Sequence, residues 1–118
     1  MPEQKLPMVF IVFKSRGQTV RVVPDVETRL AGENRVTVKN LLDQDVEVSH
    51  GGKLIAPNPF VVPAMMSGNP PSEVTYRVQA AADVPGSVFH LTFDALTVGG
   101  PSMRVTTFAA GDPEIIIT

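Results

Sequence analysis

Short runs of β-branched residues, interrupted at close intervals by proline and glycine, constrain this chain more than any other feature. Valine, isoleucine and threonine make up 32 of its 118 residues, and eleven prolines and nine glycines are spread among them. Branching at Cβ favours extended backbone and disfavours helix. Short β-rich runs between turn residues are typical of a sandwich or a barrel. The sequence therefore predicts an all-β fold.

Nine short runs have the composition and alternation of strands. They cover residues 8–14, 19–23, 26–30, 35–40, 45–49, 73–79, 87–93, 103–108 and 114–117. In the run 87–93, Phe89, Leu91 and Phe93 share one face, which predicts that His90 points outward. No stretch has the period of an amphipathic helix. We expect one sandwich domain of about seven to nine strands that spans residues 1–118.

The segment 50–71 differs from the rest of the chain because it holds five of the eleven prolines. Proline cannot donate to a β-ladder, so at most residues 60–62 form a short edge strand here. Long loops within compact domains are often functional. The segment also contains apolar side chains, among them Phe60, Met65 and Met66. We therefore expect it to pack onto the sandwich as a long crossing loop.

Residues 20–48 resemble the first half of the cupredoxins. That family shows a strand, a proline, a second strand, a glycine-containing turn and a valine-alternating strand that ends in asparagine. Pro24, Gly32 and Asn40 occupy those places here. The run Pro-Gly-Ser at 85–87, before an aromatic-rich strand, is similar to a second feature of the family. The resemblance implies a Greek-key β-sandwich of cupredoxin-like topology.

The copper ligands of that family do not carry over. A blue-copper site needs two imidazoles and a thiolate, with a weak axial thioether. The chain has no cysteine, and Thr92 stands where the family has that residue. His50 lies beyond the place of the family's first histidine, and no histidine follows Thr92. A type-1 copper site is therefore excluded.

A copper site of another kind remains open. Periplasmic copper carriers use histidine with methionine because thioethers bind Cu(I). His50 stands at the start of the loop that carries Met65 and Met66, so these three residues are candidate copper ligands. Alternatively, His50 is an ordinary loop residue and the methionines fill gaps in the core. No other cofactor is expected.

The end of the chain suggests a partner. Residues 114–118 read EIIIT, and three consecutive isoleucines cannot all point to one side of a strand. At least one of Ile115, Ile116 and Ile117 should face outward unless something covers it. We expect this end to bind a protein partner or a second copy of the chain, because apolar edge strands need a cover. The alternative cover is the proline-rich loop.

Charge and motifs narrow the classes of function. The formal net charge of −2 gives no basic footprint for nucleic acid. Basic residues concentrate in 14–39 and acidic residues from Glu73 onward, which predicts two differently charged surfaces.

No apolar run is long enough to span a bilayer. Ser49 and His50 are neighbours on a strand and point opposite ways, so they form no nucleophile–base pair, and we do not expect an enzyme.

Residues 1–6 lack the apolar core of a signal peptide. This fits a cytoplasmic protein, and equally a periplasmic or secreted one whose signal has been removed. The favoured function is a non-enzymatic binding or assembly domain on a cupredoxin-like scaffold. Two alternatives stay open: a periplasmic His/Met copper carrier, and an immunoglobulin-like structural module of a surface or secretion assembly.

Overall fold

Ten strands form two mixed β-sheets. The computed structural model describes residues 5–66 and 68–118. These residues contain no helix, and hence none that is long and apolar enough to cross a membrane. The strands are β1 (Met8–Lys14), β2 (Val20–Val23), β3 (Val26–Arg29), β4 (Arg35–Asn40), β5 (Val46–His50), β6 (Phe60–Val62), β7 (Ser72–Arg77), β8 (Val88–Ala95), β9 (Met103–Val105) and β10 (Glu114–Ile117). The predicted all-β fold is confirmed. The expected number of about seven to nine strands is too low, because β6 forms within the proline-rich segment in addition to the nine predicted runs.

The smaller sheet has four strands in the order β2-β1-β4-β7. The larger sheet has six, in the order β3-β10-β8-β5-β6, with β9 also paired to β8. β1 runs parallel to β4, and β3 runs parallel to β10, whereas the other pairs are antiparallel. This order places β1 and β10 in the interior of their sheets, where each has a neighbouring strand on both sides.

One apolar core lies between the sheets because alternate side chains of each strand point inward. On β1, Met8, Phe10 and Val12 are fully buried. The rings of Phe10 and Phe93, which belong to different sheets, have centroids 6.1 Å apart and are tilted by 43°. This is the edge-tilted packing that aromatic pairs prefer. The inward direction of Phe93 is confirmed, as is the outward direction of His90.

The proline-rich segment forms the predicted short edge strand. β6 pairs only with β5, and Phe60 and Val62 point into the core. Val61 faces outward and is 44% exposed, while Met66 is 66% exposed. The expectation that this loop packs onto the sandwich is therefore right for part of its apolar residues.

Two residues that the sequence pattern did not single out hold the same loop in place. Leu54 and Ile55 are fully buried although they belong to no strand. The backbone carbonyl of Leu54 accepts a hydrogen bond from the amide of Gln79 at 2.9 Å. The loop is therefore anchored by apolar burial and by a backbone hydrogen bond to a distant part of the chain.

The turn between β3 and β4 carries the chain from the larger sheet to the smaller, and Asp83 holds it. Its Oδ1 accepts hydrogen bonds from Gly32 N at 2.9 Å and Asn34 Nδ2 at 2.7 Å, and its Oδ2 accepts one from Asn34 N at 2.9 Å. Burial disfavours the charged carboxylate. The hydrogen bonds from Asn34 and Gly32 outweigh that effect, so the pKa of Asp83 lies below its ordinary value. The turn also needs glycine, since Gly32 has φ 110°.

Candidate protein-binding faces

His50 ends β5 as a buried side chain. Its Nδ1 lies 3.2 Å from the carbonyl oxygen of Gly51, and its Nε2 lies 3.1 Å from the carbonyl oxygen of Ile55. Both ring nitrogens are thus directed at backbone oxygens, and the imidazole ties the loop to the end of the strand. A metal ligand needs an unprotonated ring nitrogen with its lone pair free.

Met65 stands near the opposite end of β5. The start of that strand, Val46, pairs with Val62, and the amide of Met65 donates to the carbonyl of Leu42 at 2.7 Å. At about 3.3 Å per residue, the four steps from Val46 to His50 span roughly 13 Å. The structure therefore does not bring His50 together with the two methionines, and copper binding by this set stays a prediction.

A protein usually holds a metal ion through three or more histidine, cysteine or carboxylate side chains. Within residues 5–66 and 68–118, no group of three or more histidine, aspartate or glutamate side chains is placed to hold a metal ion. The acidic side chain of Asp45 has a structural contact instead, since its Oδ1 accepts a hydrogen bond from the amide of Ala64 at 2.8 Å.

The three isoleucines of β10 have different environments. Ile115 and Ile117 are fully buried, whereas Ile116 points outward and is half-buried. The expectation that at least one of them faces outward is confirmed. β10 itself is not an edge strand, because β3 and β8 hydrogen-bond to its two sides. Contact with a partner would therefore use the outward side chain of Ile116 and not the strand backbone.

The outer side of the smaller sheet forms what we call the basic face. Its outward side chains are Val9, Ile11, Phe13, Arg21, Val23, Arg35, Thr37, Lys39, Glu73, Thr75 and Arg77. The face therefore has four basic residues against one acidic residue. An apolar stripe runs through it along β1 and into β2.

The apolar stripe consists of Val9, Ile11, Phe13 and Val23. Ile11 lies between Val23 on one side and Lys39 on the other, by the register of the strands. Every stripe residue is partly accessible, and no strand of the described chain packs across this side of the sheet. A solvated sheet face normally carries polar side chains, so a stripe of this kind is typical of a face that meets another surface.

Phe108 extends the stripe beyond the edge of the sheet. Its ring centroid lies 6.0 Å from that of Phe13, and the side chain is 62% exposed. The guanidinium of Arg21 lies 5.8 Å from the centroid of the Phe108 ring, within the range of a cation–π interaction. A bridge between Arg21 and Thr106 brings this region next to β2. The basic face thus combines apolar and cationic groups at one end.

The outer side of the larger sheet forms what we call the acidic face. Its outward side chains are Val26, Thr28, Glu47, Ser49, Val61, Val88, His90, Thr92, Asp94, Arg104, Glu114 and Ile116. Three acidic residues stand against one arginine. Ile116 lies between Thr28 and Val88 in the register, and Val88 is 49% exposed.

A shallow depression lies at one end of the acidic face. It has a volume of about 200 Å³ and is lined by Gly51, Gly52, Val88, Phe89 and His90. The Nδ1 of His90 lies 3.5 Å from the Oε2 of Glu114 on the neighbouring strand. The depression is open and partly apolar, with a carboxylate beside it.

A larger depression, of about 570 Å³, lies beside the start of β5 and the end of β8. Asp43, Gln44, Asp45 and Val98 are among the residues that line it. Two of its polar side chains have partners within the chain, since Gln44 Nε2 donates to the carbonyl of Leu96 at 3.3 Å and Asp45 Oδ1 accepts from the amide of Ala64 at 2.8 Å. Loop-anchoring contacts therefore account for Gln44 and Asp45.

The apolar stripe was not predicted from the sequence, although its signal is present there. The run MVFIVFK at residues 8–14 is apolar on both faces, while most other runs alternate. A strand with a continuous apolar run is typical of burial on both sides. One side of β1 is buried in the core, and the other is the stripe.

The chain has no significant match among protein-family models, curated proteins or solved structures.

Proposed function

We propose that the chain is a non-enzymatic binding or assembly domain, built on a cupredoxin-like Greek-key scaffold without a type-1 copper site. The observation that carries this proposal is the apolar stripe on the basic face. Val9, Ile11 and Phe13 occupy every outward position of β1, on a side of the sheet across which no other described strand packs, although Phe108 lies against Phe13.

The energetics of burial favour a partner for this stripe. Fully burying a valine, isoleucine or phenylalanine side chain contributes about 1.5–3 kcal/mol relative to leaving it exposed. The stripe residues are half-buried within their own sheet. Burial of the remaining accessible part of each side chain against a partner would therefore contribute the rest of that free energy. Their position on a sheet interior also makes them rigid, which lowers the entropy cost of binding.

Two observations support the scaffold. Pro24 separates two strands and Gly32 lies in the turn before a valine-alternating strand, in the order that the resemblance implies. Gly86 precedes the aromatic-rich strand β8 and adopts a positive φ of 88°, as a turn glycine does.

Two further observations support a non-enzymatic function. The ring nitrogens of His50 are both directed at backbone carbonyl oxygens. His90 lies on the open surface of a sheet beside Glu114, with a side chain that is 68% exposed. The imidazole of His90 is therefore open to water, and that of His50 is engaged by contacts within its own loop.

Site-specific photo-crosslinking in the cells that naturally produce the chain tests this function. A photoreactive side chain replaces Phe13 on the stripe, and a matched one replaces Val98, which is fully exposed on a loop. We expect a discrete protein adduct at position 13 and none at position 98. Equal yields at the two positions, or no adduct at position 13, would contradict the proposal.

A further inference from the structure

We infer that the partner of the basic face is the acidic face of a second copy of this chain, so that copies stack head to tail. This inference rests on the proposed binding function and names its partner.

Charge complementarity carries the inference. The basic face presents Arg21, Arg35, Lys39 and Arg77 against Glu73, and the acidic face presents Glu47, Asp94 and Glu114 against Arg104. Contact between two basic faces would bring eight cationic side chains together, and contact between two acidic faces would oppose like charges as well. Like charges across an interface are unfavourable, whereas opposite surfaces attract. A contact between unlike faces is therefore favoured over either contact between like faces.

Apolar side chains lie in corresponding positions on the two faces. Ile11 lies in the middle of the stripe on β1, and Ile116 lies between Thr28 and Val88 on β10. Each is carried by a strand in the interior of its sheet. Stacking would cover Ile11 and Ile116 together, with charged residues around them. An apolar centre inside a polar rim is the usual layout of a protein interface.

The size of the faces sets the strength of the contact. Four strands about 4.8 Å apart and four to seven residues long, at about 3.3 Å each, present a projected area of roughly 360 Å². Stable interfaces bury about 800 Å² on each partner. We therefore expect weak, concentration-dependent association that salt reduces, because part of the attraction comes from accessible charges.

The contact is heterologous because it joins two different surfaces. Each copy in a stack keeps one free face of each kind, so growth continues beyond the dimer until a ring closes or a filament forms. A contact between two identical surfaces would instead close at the dimer and leave no free face for further growth.

Sedimentation velocity on the full chain and two single-face variants tests this geometry. Ile11→Glu blocks the basic face, and Ile116→Lys blocks the acidic face. We expect the unchanged chain to grow beyond the dimer with concentration, and each variant alone to remain monomeric. An equimolar mixture of the two variants should form a dimer and nothing larger, since only one intact face of each kind remains. Each single substitution should weaken self-association at least tenfold.

Controls keep the test independent of folding. Circular dichroism and thermal unfolding establish that the variants fold, and Lys39→Glu and Val88→Lys replace them if they do not. Val98→Lys makes a similar change on a loop outside both faces and should leave association unchanged.

The inference is overturned if the unchanged chain is monomeric at all concentrations, if either variant still dimerises alone, or if the mixture stays monomeric. In those cases an adduct at position 13 that contains a different protein would still support the proposed binding function. Absence of any such adduct would reject both.

Discussion

β1 and β10 occupy equivalent places in the two sheets, yet their outward sides differ in chemistry. Both lie in the interior of a sheet, and both send alternate side chains into the shared core. The outward residues Val9, Ile11 and Phe13 of β1 are all apolar, whereas β10 presents Glu114 beside Ile116.

The comparison separates what folding requires from what a surface contact requires. Inward positions on both strands are apolar because the core must exclude water. Outward positions are free of that constraint, so a solvated sheet should carry polar residues there. The basic face departs from this expectation more strongly than the acidic face, and it therefore gives the stronger indication of a binding surface.

The largest expected effect compares the two sides of β1 directly. Phe10 is fully buried, and Phe13 is an outward residue of the same type three positions later. Phe10→Ala should lower the free energy of unfolding by about 3–5 kcal/mol, because it leaves a cavity in the core. Phe13→Ala should cost only about 1 kcal/mol, because Phe13 is partly exposed and loses mainly its contact with Phe108. Urea unfolding measures both, and equal losses would show that the stripe is structural.

A smaller effect is expected at the turn that joins the sheets. Asp83→Asn removes the charged acceptor of the hydrogen bonds from Gly32 and Asn34 and should cost about 2 kcal/mol at neutral pH. The lowered pKa of Asp83 means that the folded chain keeps this carboxylate ionised to a lower pH than the unfolded chain does. Its stabilisation is complete above the ordinary pKa of 3.8 and is lost as the pH falls through the folded value.

Urea unfolding between neutral and acidic pH checks the sign of this effect. The difference in unfolding free energy between the unchanged chain and Asp83→Asn should shrink as the pH falls below about 4. A difference that stays constant with pH would contradict the role of the charge. Asp43→Asn, at an exposed carboxylate in another loop, is the matched control.

The smallest effect concerns the cationic end of the basic face. Arg21→Ala removes the cation above Phe108 and should lower the unfolding free energy by about 0.5–1 kcal/mol. Arg21→Lys keeps the charge and should recover part of that loss. Thermal unfolding compares the two variants with the unchanged chain. Identical melting temperatures for all three proteins would contradict a stabilising cation–π contact.

Much of the fold followed from local pattern. The alternation of β8 placed Phe93 inward and His90 outward, and proline placement predicted the edge strand β6. The ends of the strands were predicted less accurately than their positions. The run 103–108 forms a strand only to Val105, because the chain then turns and Ala110 adopts a positive φ of 64°. Such turns depend on tertiary contacts that alternation does not report.

The candidate sites were less predictable because they depend on where distant segments meet. His50 and Met65 belong to one loop in sequence, but the pairing of β5 with β6 sends them towards opposite ends of a strand. β10 was expected to offer an apolar edge, yet β3 pairs with it in parallel. When two parallel strands are far apart in sequence, the pattern of residues within either strand does not indicate that they pair. The uneven charge distribution was visible in the sequence, but its division between two sheet faces required the topology.

Contact between the basic face of one copy and the acidic face of another can be trapped as a disulfide. The chain has no cysteine, so Ile11→Cys and Ile116→Cys each introduce a single thiol. The two variants, one of them carrying a mass tag, are mixed in equal amounts and oxidised gently. We expect the mixed disulfide between positions 11 and 116 to exceed the share that random pairing would give. A random distribution, or a preference for pairing between identical variants, would contradict it.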